Sequence, residues 1–242
     1  MAVTKKLIVN ADDFGQSPGI NRGVIETHER GIVTSASLMV RWPASAQAAS
    51  YALAHPNLSV GLHLDLGEWT YKNGEWVRLY QLVDENDAGA VAREVEAQLE
   101  TFRSLMGRNP THLDSHQHSH RNEPVHSIVL AMAKRLTIPV RGFSPDIFYC
   151  GDFYGQTDEG LPFPEGISVE SLLRIIRDLP TGCTELGCHP GCGSDVNAMY
   201  QAEREREVES LCDSRVLRAT RDIGIELIGF GEGSDVVDTV QV

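Results

Sequence analysis

The chain has 242 residues, of which 41% are hydrophobic and 23% are charged. This balance is typical of a folded globular protein and excludes intrinsic disorder, collagen and a coiled coil. The formal net charge of −13 disfavours nucleic acid and anionic membranes as partners, because both attract clustered lysine and arginine. No apolar run reaches the length of a membrane span, no signal-peptide pattern opens the chain, and the five cysteines form no disulfide pattern, so we expect a cytoplasmic protein.

Short apolar runs alternate with longer amphipathic stretches along the whole chain. The runs predict strands at 6–11, 33–40, 58–64, 111–115, 138–143, 184–188 and 225–230. The stretches predict helices at 19–30, 44–54, 89–106, 123–136, 169–178 and 203–223. This alternation indicates an α/β fold with a parallel sheet, and an open sheet and a closed barrel both fit it.

No shift in composition marks a domain boundary, so we predict a single domain over residues 1–242. Residues 144–166 are rich in glycine, proline and aromatic residues, and we predict a long irregular loop there. Loops of this length in compact domains are commonly lids or binding loops.

Polar residues follow several of the predicted strands. Asp12 and Asp13 end the first strand, His63 lies at the end of the third, and His189 directly follows the sixth. The carboxyl ends of parallel strands lie on one side of an α/β fold, and binding sites form there. These side chains are therefore expected to meet at one mouth.

A row of alternating polar residues runs through and beyond the fourth predicted strand. It consists of His112, Asp114, His116, His118 and His120. An extended backbone would point all five to one face, where buried imidazoles and carboxylates need partners. A metal ion is an economical partner, because two imidazoles and a carboxylate with one open position form a catalytic metal site. An exposed histidine-rich edge is the alternative.

The adjacent pair Asp12 and Asp13 suggests a division of roles. Both carboxylates reach one metal site only where the strand ends and the backbone turns, so that one binds the ion and the other is free to act as a general base. A turn or a helix cap is the alternative explanation of such a pair. The nearby sequence GQSPG (15–19) matches the nucleophile elbow of serine hydrolases, but Ser17 before Pro18 is more typical of a helix N-cap.

Five segments together resemble the YdjC-like carbohydrate deacetylases, which include the chitooligosaccharide deacetylases: LIVNADDFG (7–15), GIVTS (31–35), GLH (61–63), PTHLDSH (110–116) and CHPG (188–191). They extend from the first predicted strand to the sixth, so the resemblance covers nearly the whole chain. It implies a distorted TIM-like (β/α) barrel of about seven parallel strands. It also implies hydrolysis of the N-acetyl group of a small N-acetylated sugar or oligosaccharide.

The resemblance further implies a role for each motif residue. Asp13, His63 and His116 would bind one divalent metal ion, with zinc or magnesium preferred over manganese or cobalt. Asp12 would be the general base, and His189 would act as general acid or orient the substrate. A homodimer is expected, because it is the commonest assembly of soluble enzymes.

The chain departs from the family in its fourth motif, where DSHQHSH replaces the usual DSHHHVH. The roles of Gln117, His118 and His120 are therefore left open. Sugars stack on aromatic rings, and two groups of aromatic residues are candidates to line the cleft: Trp69, Tyr71 and Trp76, and in the long loop Phe148, Tyr149, Phe153 and Tyr154.

Two other functions fit the same residues. One is a metal-dependent hydrolase of another bond, such as a phosphoester or a cyclic amide. The other is a non-catalytic protein that binds a metal or a sugar, although binding alone would not require a free carboxylate at Asp12.

Overall fold

The computed structural model describes residues 4–72, 74–193, 195 and 199–231; the predicted domain, 1–242, extends beyond them at both ends. Its strands are β1 (Lys5–Phe14), β2 (Ser35–Leu38), β3 (Ser59–Leu64), β4 (Gly67–Lys72), β5 (Glu75–Gln81), β6 (Leu113–Ser115), β7 (Ile147–Cys150), β8 (Gly182–Cys188) and β9 (Glu226–Leu227). Its α-helices are α1 (Pro18–Arg30), α2 (Ser45–Ala54), α3 (Ala88–Met106), α4 (Val125–Leu136), α5 (Val169–Asp178), α6 (Ala202–Leu211) and α7 (Ser214–Ile223).

Seven of the strands form one parallel sheet, in the order β6-β3-β2-β1-β8-β7, with β9 also paired to β1. The sheet curls into a half-barrel with helices packed outside it. Beyond β6, Val140 forms a single parallel bridge to Leu113. The predicted α/β fold, a distorted TIM-like barrel of about seven parallel strands, is confirmed.

The predicted strand at 138–143 is wrong. Only Val140 bridges to the sheet, and the chain turns directly afterwards. The next strand, β7, lies at the opposite end of the sheet order. Strand β7 itself falls inside the predicted irregular loop 144–166. The predicted strand 225–230 shrinks to Glu226–Leu227.

Two further elements differ from prediction. The helix expected at 203–223 is two helices, because Asp213 accepts a hydrogen bond from the N–H of Arg215 and caps a new helix, α7. The antiparallel hairpin β4–β5 was not predicted; the side chains of β5 are mostly exposed, so the strand lacks the alternation of a half-buried one. Among the described residues, no helix combines the length and apolarity needed to cross a bilayer.

The two faces of the sheet differ in chemistry because side chains alternate along each strand. On β1, Leu7, Val9 and Ala11 point into the main hydrophobic core between sheet and helices. Ile8 points the other way and packs against Ile228 and Phe230. These three apolar residues fill one end of the curled sheet and leave the other end to polar side chains.

Helix α1 begins where the sequence predicts. The side chain of Ser17 accepts a hydrogen bond from the N–H of Ile20, and Pro18 occupies the first helical position. Ser17 is thus a helix cap rather than a nucleophile. A Cβ at Gly23 would collide with the backbone of Gly191, so glycine allows this helix to touch the loop that follows β8.

Candidate active site and metal centre

Three side chains meet at the carboxyl ends of β1, β3 and β6. Asp13 Oδ1 lies 3.4 Å from His63 Nε2 and 3.0 Å from His116 Nδ1. Asp13 and His63 are buried, whereas the side chain of His116 is 12% exposed. These are the three residues that the family resemblance implies as metal ligands, and the fold brings them together although Asp13 and His116 lie 103 residues apart along the chain.

The backbone and two neighbouring side chains hold this group in place. Asp13 has φ 64, a left-handed conformation that turns the chain at the end of β1 and lets its carboxylate reach the site beside Asp12. Arg204 Nη2 donates to Asp13 Oδ2 at 2.6 Å, which leaves Oδ1 to face the imidazoles. Asp114 Oδ1 accepts from His63 Nδ1 at 2.8 Å, which orients the ring so that His63 Nε2 faces Asp13.

The geometry of this trio fits a divalent cation. Ligand atoms bonded to one ion at ~2.1 Å lie roughly 3 to 3.5 Å from each other, which matches the two measured separations. Burial lowers the pKa of His116, but the carboxylate of Asp13 outweighs it and raises the pKa to about 9, so the site favours positive charge. A second trio, formed by Asp12, His63 and Asp114, is also close enough, but both of its carboxylates already form ion pairs with Arg141.

Asp12 lies beside the trio and is held by a different arginine. Arg141 donates to both of its carboxylate oxygens, at 2.6 and 2.7 Å, and Asn10 Nδ2 donates to Oδ1 at 2.9 Å. Burial raises the pKa of Asp12, but the charge of Arg141 more than compensates, so the pKa falls below its ordinary value. Asp12 is therefore ionised at neutral pH and able to accept a proton.

Arg141 is fully buried and connects three strands across the interior of the half-barrel. Besides Asp12 of β1, it binds Asp114 of β6 at 2.8 Å and Glu185 of β8 at 2.7 Å. Arg141 was not among the predicted site residues. The sequence does show a charged residue inside the apolar run 138–143, but a charged residue in a strand usually faces solvent.

His189 closes the site from the loop after β8, as the sequence predicts. Its Nε2 lies 3.6 Å from Asp12 Oδ2. Burial lowers the pKa of His189 to about 4, so the ring is neutral at pH 7. Its backbone is fixed by the carboxylate of Glu207, which accepts from the His189 N–H, and by Arg204 Nη1, which donates to the His189 carbonyl at 3.2 Å.

The expected extended histidine row is wrong beyond Ser115. Residues His116–Arg121 form a 3₁₀ turn in which Gln117 and His118 have positive φ, so their side chains leave the common face. Gln117, which departs from the family motif, exchanges two hydrogen bonds of 2.8 Å with the backbone of Trp69 and ties the turn to β4.

The remaining histidines of the row have different surroundings. His112 is buried and stacks on Phe230, with ring centroids 3.8 Å apart. It does not belong to the trio that could bind a cation. His120 Nδ1 lies 2.6 Å from Ser115 Oγ. His118 lines the cavity above the site, and burial lowers its pKa to about 3, which keeps it neutral.

A cavity of about 630 Å³ opens directly above these residues. Part of the predicted loop 144–166 forms its wall, together with the β4–β5 hairpin. The predicted aromatic residues divide into two sets. Those that line the cavity are Trp76, Tyr149, Phe153 and Tyr154, whereas Trp69, Tyr71 and Phe148 do not.

Known proteins resemble this chain over most of its length. A 34% identical protein from Geobacillus stearothermophilus, named carbohydrate deacetylase, matches 93% of this chain and 96% of its own. A 32% identical protein from Vibrio campbellii has the same name and matches 93% of this chain and 95% of its own.

Solved structures share the fold. One from Enterococcus faecalis V583, whose description names cellobiose-phosphate cleavage, has a TM-score of 0.77 at 28% identity and covers 94% of this chain and 98% of its own. A deacetylase described as T48, solved with substrate, has a TM-score of 0.55 at 15% identity and covers 95% and 90%. The sequence model of the YdjC-like protein family matches residues 6–222. With this match and relatives above 30% identity along nearly the whole chain, the protein belongs to the YdjC-like family.

Proposed function

We propose that this chain is a metal-dependent hydrolase that removes the N-acetyl group from a small N-acetylated sugar or oligosaccharide. The observation that carries the proposal is the pairing of a cation-binding trio with a separate ionised carboxylate, Asp12, at the floor of one cavity. Binding of a metal or a sugar alone does not require that second carboxylate beside the trio. The curated relatives named carbohydrate deacetylase supply the substrate class.

Asp13, His63 and His116 would hold the ion. Two imidazoles and one carboxylate suit zinc, and magnesium is the second candidate. When bound, such an ion supplies Lewis-acid chemistry that polarises an amide carbonyl and makes water more acidic. The residues of the chain then position the substrate and move the protons.

Asp12 takes the proton of the attacking water on its carboxylate, where Arg141 fixes the orientation of both oxygens. His189 is neutral and donates a hydrogen bond to the substrate. His189 Nε2 lies 3.6 Å from Asp12 Oδ2, just beyond hydrogen-bond distance, so a small shift of either side chain on substrate binding would let the ring receive that proton and pass it to the departing amine. The sugar is left with a free amine, and acetate is released.

The test is acetate release from a panel of N-acetylated sugars, with protein stripped by a chelator and resupplied with single metals. Asp12→Asn is expected to lower kcat by about 10²- to 10⁴-fold, the usual contribution of a general base, while the protein still binds one equivalent of metal. Asp146→Asn, at an exposed position outside the cavity, is the matched control and is expected to keep full activity.

Near-normal activity of Asp12→Asn would show that the base is assigned wrongly. Phosphate and reducing-sugar release are measured in parallel, because the description of the Enterococcus structure names cellobiose-phosphate cleavage. Release of phosphate or of reducing sugar without acetate would instead identify a hydrolase of another bond.

A further inference from the structure

Glu68 is a buried acidic residue beside the trio of Asp13, His63 and His116, and the proposed reaction gives it no role. It lies on β4, where side chains alternate, so that Glu68 is buried and Trp69 is exposed. Glu68 is 5% exposed, and its carboxylate makes no hydrogen bond with any residue that the structure describes. A buried carboxylate without such a partner costs free energy, so a donor close to it would be stabilising.

The outer ring nitrogen of His116 faces this carboxylate. His116 Nδ1 points into the trio, 3.0 Å from Asp13 Oδ1, whereas His116 Nε2 lies 3.8 Å from Glu68 Oε2. That Nε2 is buried, and within the described part of the chain it has no hydrogen-bond partner. A donor and an acceptor therefore face each other across a gap that is about 1 Å too long for a hydrogen bond.

Two hydrogen bonds hold the segments that carry Glu68 and His116 together. Gln117, which follows His116, exchanges two hydrogen bonds of 2.8 Å with the backbone of Trp69, which follows Glu68. The β4–β5 hairpin is thus attached to the turn at the metal centre. Because the two backbones are already fixed side by side, a small rotation of either side chain is enough to close the gap.

His63 shows the same arrangement with the hydrogen bond already formed. Its Nε2 faces Asp13, and its Nδ1 lies 2.8 Å from Asp114 Oδ1. Metal-binding histidines commonly donate their other ring N–H to a carboxylate, which fixes the orientation of the ring and makes the ligand nitrogen more basic. Glu68 has the same position relative to His116 as Asp114 has relative to His63.

We propose that Glu68 is a positioning residue of the metal centre, whose carboxylate accepts a hydrogen bond from His116 Nε2 when a divalent cation binds at His116 Nδ1. The inference rests on the proposed function, which supplies the cation. An ion at Nδ1 makes the Nε2–H a stronger donor, and this favours closing the gap to the carboxylate. The two histidines then bind the ion through different nitrogens, His63 through Nε2 and His116 through Nδ1.

The first experiment measures zinc affinity by competition with a chromophoric chelator. Glu68→Ala is expected to lower the affinity by about 10- to 100-fold. Glu68→Gln has the same size and keeps an accepting oxygen, so its loss should be smaller, because a neutral acceptor forms a weaker hydrogen bond. Glu75→Ala removes an exposed carboxylate from the same hairpin and should keep the wild-type affinity.

A second measurement separates positioning from a general structural role. In the nitrogen-15 NMR spectrum of the zinc-loaded protein, the imidazole of His116 should carry its proton on Nε2. Exchange of this proton with water should be slower in the wild type than in Glu68→Ala. The resonance is assigned by its loss in His116→Gln.

Unchanged zinc affinity in Glu68→Ala, or a zinc-bound His116 with its proton on Nδ1, would overturn the inference and leave the deacetylase proposal standing. An equal loss of affinity in Glu75→Ala would also overturn it, since the effect would then come from net charge. A wild type that binds neither zinc nor magnesium would reject the metal centre, and with it both proposals.

Discussion

The substitution Glu185→Gln is expected to change stability in a pH-dependent way. Relative to the wild type, the variant should be favoured more at pH 8 than at pH 5. Arg141 faces three buried carboxylates but carries only one positive charge. If all three carboxylates were ionised, the cluster would hold an excess of negative charge. Glu185 is 1% exposed, and its Oε2 has no hydrogen-bond partner. Burial therefore raises the pKa of Glu185 to about 7 from its ordinary 4.5.

The size of the effect follows from this shift. A carboxyl whose pKa is raised on folding adds stability below its unfolded pKa and loses it as the pH rises through the folded value. A difference of about 2.5 pKa units corresponds to about 3 kcal/mol, lost by the wild type between roughly pH 4.5 and pH 7.5. Glutamine does not titrate and keeps an oxygen to accept the hydrogen bond of Arg141, so the variant escapes this loss.

The assay is the free energy of unfolding in urea at pH 5 and at pH 8, for the wild type and the variant. The difference between the two proteins should shift in favour of Glu185→Gln by about 2.5 kcal/mol over this interval, because part of the loss has already occurred at pH 5. Glu209→Gln, at an exposed position of α6, is the matched control and should give the same difference at both pH values. An equal difference for Glu185→Gln at both pH values would refute the charge count around Arg141.

Three further outcomes are expected. Gln117→Ala removes two hydrogen bonds to the backbone of Trp69, worth about 1 kcal/mol each, and should speed hydrogen exchange in β4. Gly61→Ala places a Cβ against the buried ring of His112 and should cost about 1 to 3 kcal/mol in thermal unfolding. Asp114→Asn weakens the orientation of the His63 imidazole and should lower metal affinity by about 10- to 100-fold in calorimetric titration.

Each of these has its own comparison. Exchange in α5, which does not contact Gln117, should be unaffected in Gln117→Ala; a uniform increase would indicate global destabilisation instead. Gly89→Ala, in the first turn of α3 with only flexible side-chain ends nearby, should leave stability equal or higher. If Asp114→Asn bound metal as tightly as the wild type, the carboxylate of Asp114 would have no part in orienting the imidazole of His63.

Local patterns were enough to predict the strands that carry the site, the cap at Ser17 and the convergence of Asp12, Asp13 and His63. The errors come from interactions between distant parts of the chain. Gln117 and His118 adopt positive φ without being glycine, because tertiary contacts such as the Gln117–Trp69 pair fix the turn. No periodicity in the sequence reports such a contact.

The two arginines illustrate the same limit. Arg204 lies in a strongly charged stretch that is typical of a solvent-exposed helix face, yet it is 3% exposed and binds Asp13. Arg141 lies in a run that was predicted to be a strand. Arg141 is buried among carboxylates from three strands, and Arg204 is buried beside the carboxylate of Asp13, so both environments are properties of the assembled fold.

The position of β1 has a consequence for synthesis of the chain. Residues 5–11 pair along their length with residues 182–188 of β8, and this pairing brings Asp12 and His189 together. At typical translation rates the ribosome needs roughly 10 to 35 seconds to make the intervening segment, during which one edge of the central strand has no permanent partner. The site is therefore completed only after β8 has been synthesised, and fragments that stop before β8 expose an edge prone to aggregation.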